Sequence, residues 1–295
     1  MLTFNITTSR NKFERLNNLT FQIMPTRTGL LNPYKFDQIQ NQKTNIVLHT
    51  GYDFHPFQFS LFDVNSYTVQ QLKSYLDTCR RLHVDQLLIH GPDQPKYLKY
   101  FDSTLTILRA YLDDFNSQNP IPLQICIEMP VFCKSMYVRD SDFVGINPNN
   151  VYDFVLSYFN TVIKFGFDIV IDTAHLFGNG LTTDQMIEVM EIFKNNYKYI
   201  HLNGNCRPQY SHDKHTTLTP CLKPEGSRSL GAPNYPSNLI PDVQKLLLKV
   251  KELMDLGKIC ISEQKCNSRE YFIELSKQYG FKLNSELINN PDLII

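Results

Sequence analysis

The sequence lacks most of the features that would assign it quickly. Lys plus Arg and Asp plus Glu each number 29, so the formal net charge is 0. No overall field therefore draws the chain to nucleic acid or to an anionic membrane. This weighs only lightly against a nucleic-acid partner, because a local basic patch does the same work. No apolar run approaches the ~20 residues of a membrane span, so no membrane partner is expected. The seven cysteines, at 79, 126, 133, 206, 221, 260 and 266, form no CxxC pair, which speaks against a thiolate metal site. Cys126 and Cys260 lie in apolar runs, where a reduced thiol behaves as a small hydrophobe. The opening "MLTFNITTSRNKFERL" has no basic-then-apolar signal layout. The expectation is a reduced, intracellular, soluble protein, cytoplasmic or nuclear. Asn-, Ile-, Lys- and Tyr-rich usage hints at an AT-rich genome, which a viral origin would fit. There is no linker, low-complexity tract or short repeat.

What is present is alternation. Short apolar runs at 2–7, 20–24, 45–49, 86–90, 123–128, 168–172, 198–202 and 258–263 read as strands. Amphipathic stretches lie between them. In "VQQLKSYLDTCRRL" (69–82), Leu72, Leu76 and Cys79 recur at i, i+4 and i+7, and 151–165, 184–197 and 242–254 carry the same stripe. Asn147 with Pro148, and Thr182 and Thr183 before Asp184, mark helix starts. Strands alternating with helices predict a parallel sheet. A length of 295 residues accommodates a closed (β/α)8 TIM barrel, taken here as a single α/β domain over 1–295. An open doubly wound sheet is the alternative, but no GxGxxG follows the first strand, which weakens its dinucleotide-binding version. The first βα unit is short and would be the weak stave. The long irregular stretch at 203–236 is expected to be functional or mobile.

Several strand candidates end in a side chain able to bind a metal: His49, His90, Glu128, Asp172, His201 and Glu263. His175 follows Asp172, and Asp213 and His215 follow His201. A single histidine at a strand end is more often a hydrogen-bonded structural residue than a ligand. Repetition across strands whose C-terminal ends share one barrel mouth has no structural motive, and points to a site. Imidazoles and carboxylates without cysteine suit zinc, manganese or iron. The candidates exceed the ligands one catalytic ion needs. That excess points to a cluster of two or three ions with a bridging carboxylate such as Glu128.

The series "VLHTGYD", "LIHGP", "CIEMP", "VIDTAHLFGNG", "IHLNGN", "HDKH" and "CISEQ" resembles the endonuclease IV family of abasic-site endonucleases, in order over about residues 20–265. The resemblance implies a (β/α)8 barrel with three zinc ions, manganese being an alternative at one site. It implies that His49, His90 and Glu128 hold one ion. Glu128 would bridge to a second held by Asp172, His201 and Glu263, and His175, Asp213 and His215 would hold the third. Tyr52 matches a tyrosine that probes the DNA minor groove, and Arg27, more loosely, an arginine inserted into the base stack. The chain departs from the family at Gly204, where "HLNDS" becomes "HLNGN", at "IEMP", which lacks the usual Asn after Glu128, and in the longer segment after His215.

The implied activity is hydrolysis of the phosphodiester 5′ to an abasic site in double-stranded DNA, leaving 3′-hydroxyl and 5′-deoxyribose phosphate ends. Glu128 or Glu263 would orient the attacking hydroxide. A monomer is expected. The rival is a sugar isomerase or epimerase on the related barrel, for which Glu128, Asp172, His201 and Glu263 suffice. That reading leaves His49, His90, His175, Asp213 and His215 without a role. A third reading is a non-catalytic DNA-binding or virion structural protein that keeps a metal-stabilised barrel, against which the intact ligand set argues.

Overall fold

The computed structural model describes residues 2–7, 20–24, 45–51, 54, 56–57, 66–132, 150–205, 215–216, 218, 240–263 and 269–283. Eight parallel strands close into a barrel: β1 (Leu2–Thr7), β2 (Thr20–Met24), β3 (Asn45–His49), β4 (Gln86–His90), β5 (Gln124–Glu128), β6 (Asp168–Asp172), β7 (Tyr199–His201) and, last in the chain, β10 (Ile259–Ser262). Between β7 and β10 a small antiparallel pair, β8 (Gly204–Asn205) and β9 (His215–Thr216), stands apart from the barrel. The expected (β/α)8 barrel is thus observed, with strands in chain order round the ring.

Closure runs through β1. Its first half, Leu2–Phe4, pairs with Cys260–Ser262, and its second half, Asn5–Thr7, pairs with Gln22–Met24. Splitting one strand between neighbours at different heights is the stagger that a tilted, closed sheet requires. The stave expected to be weakest therefore makes both its ladders.

Strand side chains alternate between two apolar layers, as the period of two demands. Ile46, Leu48, Leu87, Ile89, Ile125, Ile127, Ile169, Ile171 and Ile200 face outward into the main core under the helices. Val47, Leu88, Cys126, Val170, Tyr199 and Ile261 form a separate cluster inside the barrel. The lumen is a packed plug rather than a pore.

Among the described residues the helices are α1 (Tyr67–Leu82), α2 (Pro95–Leu98), α3 (Phe101–Ser117), α4 (Val151–Lys164), α5 (Thr173–Gly178), α6 (Thr183–Ile192), α7 (Val243–Asp255) and α8 (Arg269–Tyr279). In α1 the expected Leu72, Leu76 and Cys79 are buried, and the Ser66 side chain caps the first turn by accepting from the Val69 amide. Thr182 caps α6 in a reciprocal box with Gln185. That helix stops at Ile192 although the apolar spacing runs on through Phe193 and Tyr197, both buried. The chain turns there so that the Asn196 carbonyl can accept from the Ile169 amide at the start of β6, 2.9 Å away. The expected helix start at Asn147 and Pro148 lies outside the described residues, as does most of the 203–236 stretch.

No described helix is long and apolar enough to cross a membrane. Cys79, Cys126 and Cys260 are free and fully buried. Burial pushes all three thiols up, that of Cys260 to about 12, so they remain protonated core residues, as expected for Cys126 and Cys260.

Candidate metal centre

The inner apolar layer places the site. Two residues beyond Val47, Leu88, Cys126, Val170, Tyr199 and Ile261, on the same face of each strand, come His49, His90, Glu128, Asp172, His201 and Glu263. The strand period alone thus lifts the polar groups one layer above the plug, at the C-terminal mouth. All seven candidates from β3 to β10 whose side chains are described, His175 included, meet there.

Glu128 is the hub. It is fully buried. Its Oε2 lies 3.2 Å from His49 Nε2 and 3.6 Å from His90 Nε2; its Oε1 lies 3.0 Å from His175 Nδ1 and 3.2 Å from His201 Nδ1. Burial would raise the Glu128 pKa, but the surrounding imidazoles of His201, His90 and His175 outweigh it and hold the carboxyl well below its usual range. His201 faces three carboxylates through one atom: Nδ1 is 3.2 Å from Glu128 Oε1, 3.3 Å from Glu263 Oε2 and 3.7 Å from Asp172 Oδ2. Burial opposes charge on this ring, yet Glu263, Glu128 and Asp172 together push its pKa up to about 9.

Local structure explains the "DTAH" spacing. Asp172 ends β6 and is the N-cap of α5, where its Oδ1 accepts from the His175 amide at 2.9 Å. The short helix then turns the imidazole back so that Nδ1 lies 3.0 Å from the Met129 carbonyl. One carboxylate therefore sets the direction of the next candidate ligand and keeps Oδ2 for the pocket.

Two residues that the sequence reading gave no role complete the arrangement. Asn203 donates through Nδ2 to Asp172 Oδ2 at 2.7 Å and to Glu263 Oε2 at 3.4 Å, and its Oδ1 accepts from the Glu263 amide at 3.0 Å. Gln22, on β2, donates through Nε2 to Glu263 Oε1, and its Oε1 lies 2.9 Å from His201 Nε2. Both are fully buried. A search for His, Asp, Glu and Cys passes over amides. The available signal was strand parity, since Gln22 shares the inward phase of β2.

The remaining candidates stand differently. His215 contributes its backbone to β9, paired with Asn205, which brings the segment alongside β8; its side chain, Asp213, Tyr52 and Arg27 lie outside the described residues.

The donor set suits a divalent cation. Three groupings each bring one donor atom per residue within 4.8 Å of one another: His49, Glu128 and His201; Glu128, Asp172 and His175; and Asp172, His201 and Glu263. Burying this many carboxylates together is costly unless positive charge compensates them. Imidazole and carboxylate oxygen are the ligands of catalytic zinc and manganese sites, and no described cysteine is among them. Side-chain exposure is 18% at His90 and 5% at Glu263, against 2% or less at His49, Glu128, Asp172, His175 and His201. His90 is thus the member of the cluster most open to solvent, and Glu263 the next.

The chain matches no protein-family profile and no curated protein sequence. Solved structures match it over nearly their whole length. A D-tagatose 3-epimerase-like protein aligns with a TM-score of 0.59 at 18% identity, covering 97% of this chain and 98% of that one. Endonuclease IV from Thermus thermophilus aligns with a TM-score of 0.58 at 13% identity, covering 94% and 96%. The protein in the structure of AsfvAP:AG aligns with a TM-score of 0.58 at 12% identity, covering 95% and 96%. At such identities the likeness is one of fold: this chain is built on the barrel that epimerase-like proteins and endonuclease IV share.

Proposed function

We propose that the protein is a zinc-dependent endonuclease of base excision DNA repair. It would hydrolyse the phosphodiester 5′ to an abasic site in duplex DNA, leaving 3′-hydroxyl and 5′-deoxyribose phosphate ends. The observation that carries this reading is Glu128, one buried carboxylate against which four histidines converge. A single catalytic ion needs about three protein ligands. Seven convergent side chains suit a cluster in which Glu128 is shared.

In this reading His49, His90 and Glu128 hold one ion, Glu128, Asp172, His201 and Glu263 a second, and His175, Asp213 and His215 a third. When bound, such ions neutralise phosphodiester charge, lower the pKa of water to about 7 and stabilise the leaving oxygen. The chain's own groups do the rest. Asn203 holds Asp172 and Glu263 in place beside one another. Glu263, or the shared Glu128, would orient the attacking water and take its proton. Tyr52 and Arg27 would contact the duplex, wedging at the lesion, where the missing base makes extrusion cost less than the few kcal/mol of a normal nucleotide.

A second reading has its own observation. Asp172, His201 and Glu263 with Glu128 form a compact group that would serve a sugar isomerase or epimerase, and an epimerase-like protein shares the fold. Elemental analysis of protein purified without chelator separates the two. The nuclease reading expects about three zinc ions per chain. A single ion per chain would favour the sugar enzyme.

A further inference from the structure

Gln22 occupies a position that neither reading assigns. It lies on β2, is fully buried, and reaches across the barrel to residues of β7 and of the loop following β10. An ionised carboxylate only accepts hydrogen bonds, so the end of the Gln22 amide that meets Glu263 Oε1 must be its NH2. The carbonyl Oε1 then faces His201 Nε2 at 2.9 Å. A carbonyl cannot donate, so Nε2 must carry the hydrogen. With a cation in place of the second ring proton, the lone pair of His201 would then be confined to Nδ1, the atom that faces Glu128, Glu263 and Asp172. The opposite amide orientation would set oxygen against oxygen at Glu263. The direction of one side chain follows from the acceptor character of another.

We propose that Gln22 is the positioning residue of the metal centre, whose amide fixes His201 as an Nδ1 ligand and ties Glu263 to the same ring. The inference rests on the metal-centre reading above but not on the identity of the substrate. Histidine ligands commonly have their second nitrogen held by a carboxylate or backbone carbonyl. Here a neutral amide does this and also spends its own N–H on a second ligand. One residue therefore sets two ligand directions at once. Asn203 performs the matching task on the other side, tying Asp172 to Glu263.

The test uses the full chain loaded with zinc and labelled with 15N at histidine. Two-bond proton–nitrogen correlation spectra report which ring nitrogen carries hydrogen. The expected result is a zinc-bound histidine with hydrogen on Nε2 and metal on Nδ1, lost in Gln22→Leu. That variant should also bind one zinc ion about 10–100-fold more weakly by chelator competition, the scale of a lost ligand-orienting partner, with the other ions unaffected. Gln22→Glu retains an acceptor for His201 but cannot donate to Glu263, so it should keep the Nε2–H signal and still lose affinity. If Gln22→Leu does not fold, the wild-type spectrum decides alone. Zinc bound with every histidine coordinated through Nε2, or undiminished affinity in Gln22→Leu, overturns the role of Gln22 and leaves the metal centre standing. A chain that binds no zinc overturns both.

Discussion

At the scale of single residues, the centre is a set of buried charges that hold one another in place. Glu263 combines two proposed roles, a metal donor grouped with Asp172 and His201 and a carboxylate that takes the proton of attacking water. Glu263→Gln preserves the shape and an acceptor oxygen but removes the proton-accepting charge. Incision of abasic DNA should fall by at least about 100-fold, the lower end of a lost general base, while far-UV circular dichroism shows the barrel still folded. Near-normal incision would move the proton-accepting role elsewhere. The charged members of this set were legible in the sequence because each ends an apolar run, as "VLH", "LIH", "CIE", "VID", "YIH" and "ISE" show. Gln22 and Asn203 were not, because an amide signals nothing until its two ends are seen to meet different partners.

At the scale of elements, the strands were readable because burial on both faces makes each a short, nearly unbroken apolar run. Helix α3 shows how a stripe is overlooked. Its buried Phe101, Leu105, Leu108, Leu112 and Phe115 recur at helical spacing, interrupted by the buried Thr104 and diluted by Thr106 and the aspartates of its other face. The junction between β4 and the following loop carries a constraint that sequence alone does not show. A Cβ on Gly91, in "LIHGP", would lie 1.6 Å from the Tyr158 hydroxyl, while the Gly91 amide is tied to the Glu128 carbonyl at 2.8 Å. Tyr158 cannot yield easily, since it is stacked on Phe101 at 4.7 Å and is almost fully buried. Glycine is required by close approach, one residue after His90. Gly91→Ala should cost about 1–3 kcal/mol by overpacking, measured by urea unfolding. The Tyr158 hydroxyl has no hydrogen-bond partner among the described residues, so Tyr158→Phe alone should be neutral or stabilising and should recover part of the Gly91→Ala loss. Equal cost in both backgrounds would show that the hydroxyl is not the obstacle.

At the scale of the whole molecule, metal and fold are coupled. The donors come from strands spread round the ring, so ions held by them would tie β3, β5, β6, β7 and β10 together at one end. An ion that binds only the folded chain, at free concentration 100 times its Kd, stabilises by about 2.7 kcal/mol. At roughly 2–4 °C per kcal/mol, chelation should lower the midpoint of thermal unfolding by about 5–10 °C, and added zinc should restore it. An unchanged midpoint would mean that the cluster is a self-satisfied polar network. The barrel itself does not choose between a phosphodiester and a sugar, since one fold hosts both chemistries. That choice rests on how many donors converge and on what the mouth admits. The most direct measurement is incision of an end-labelled duplex carrying a single abasic analogue by the zinc-loaded protein. An abasic-site endonuclease makes one cut, on the 5′ side of the lesion, leaving an extendable 3′-hydroxyl and abolished by chelator, and that is the expected result. An intact duplex under zinc-loaded conditions, or cutting that persists in chelator, would contradict it.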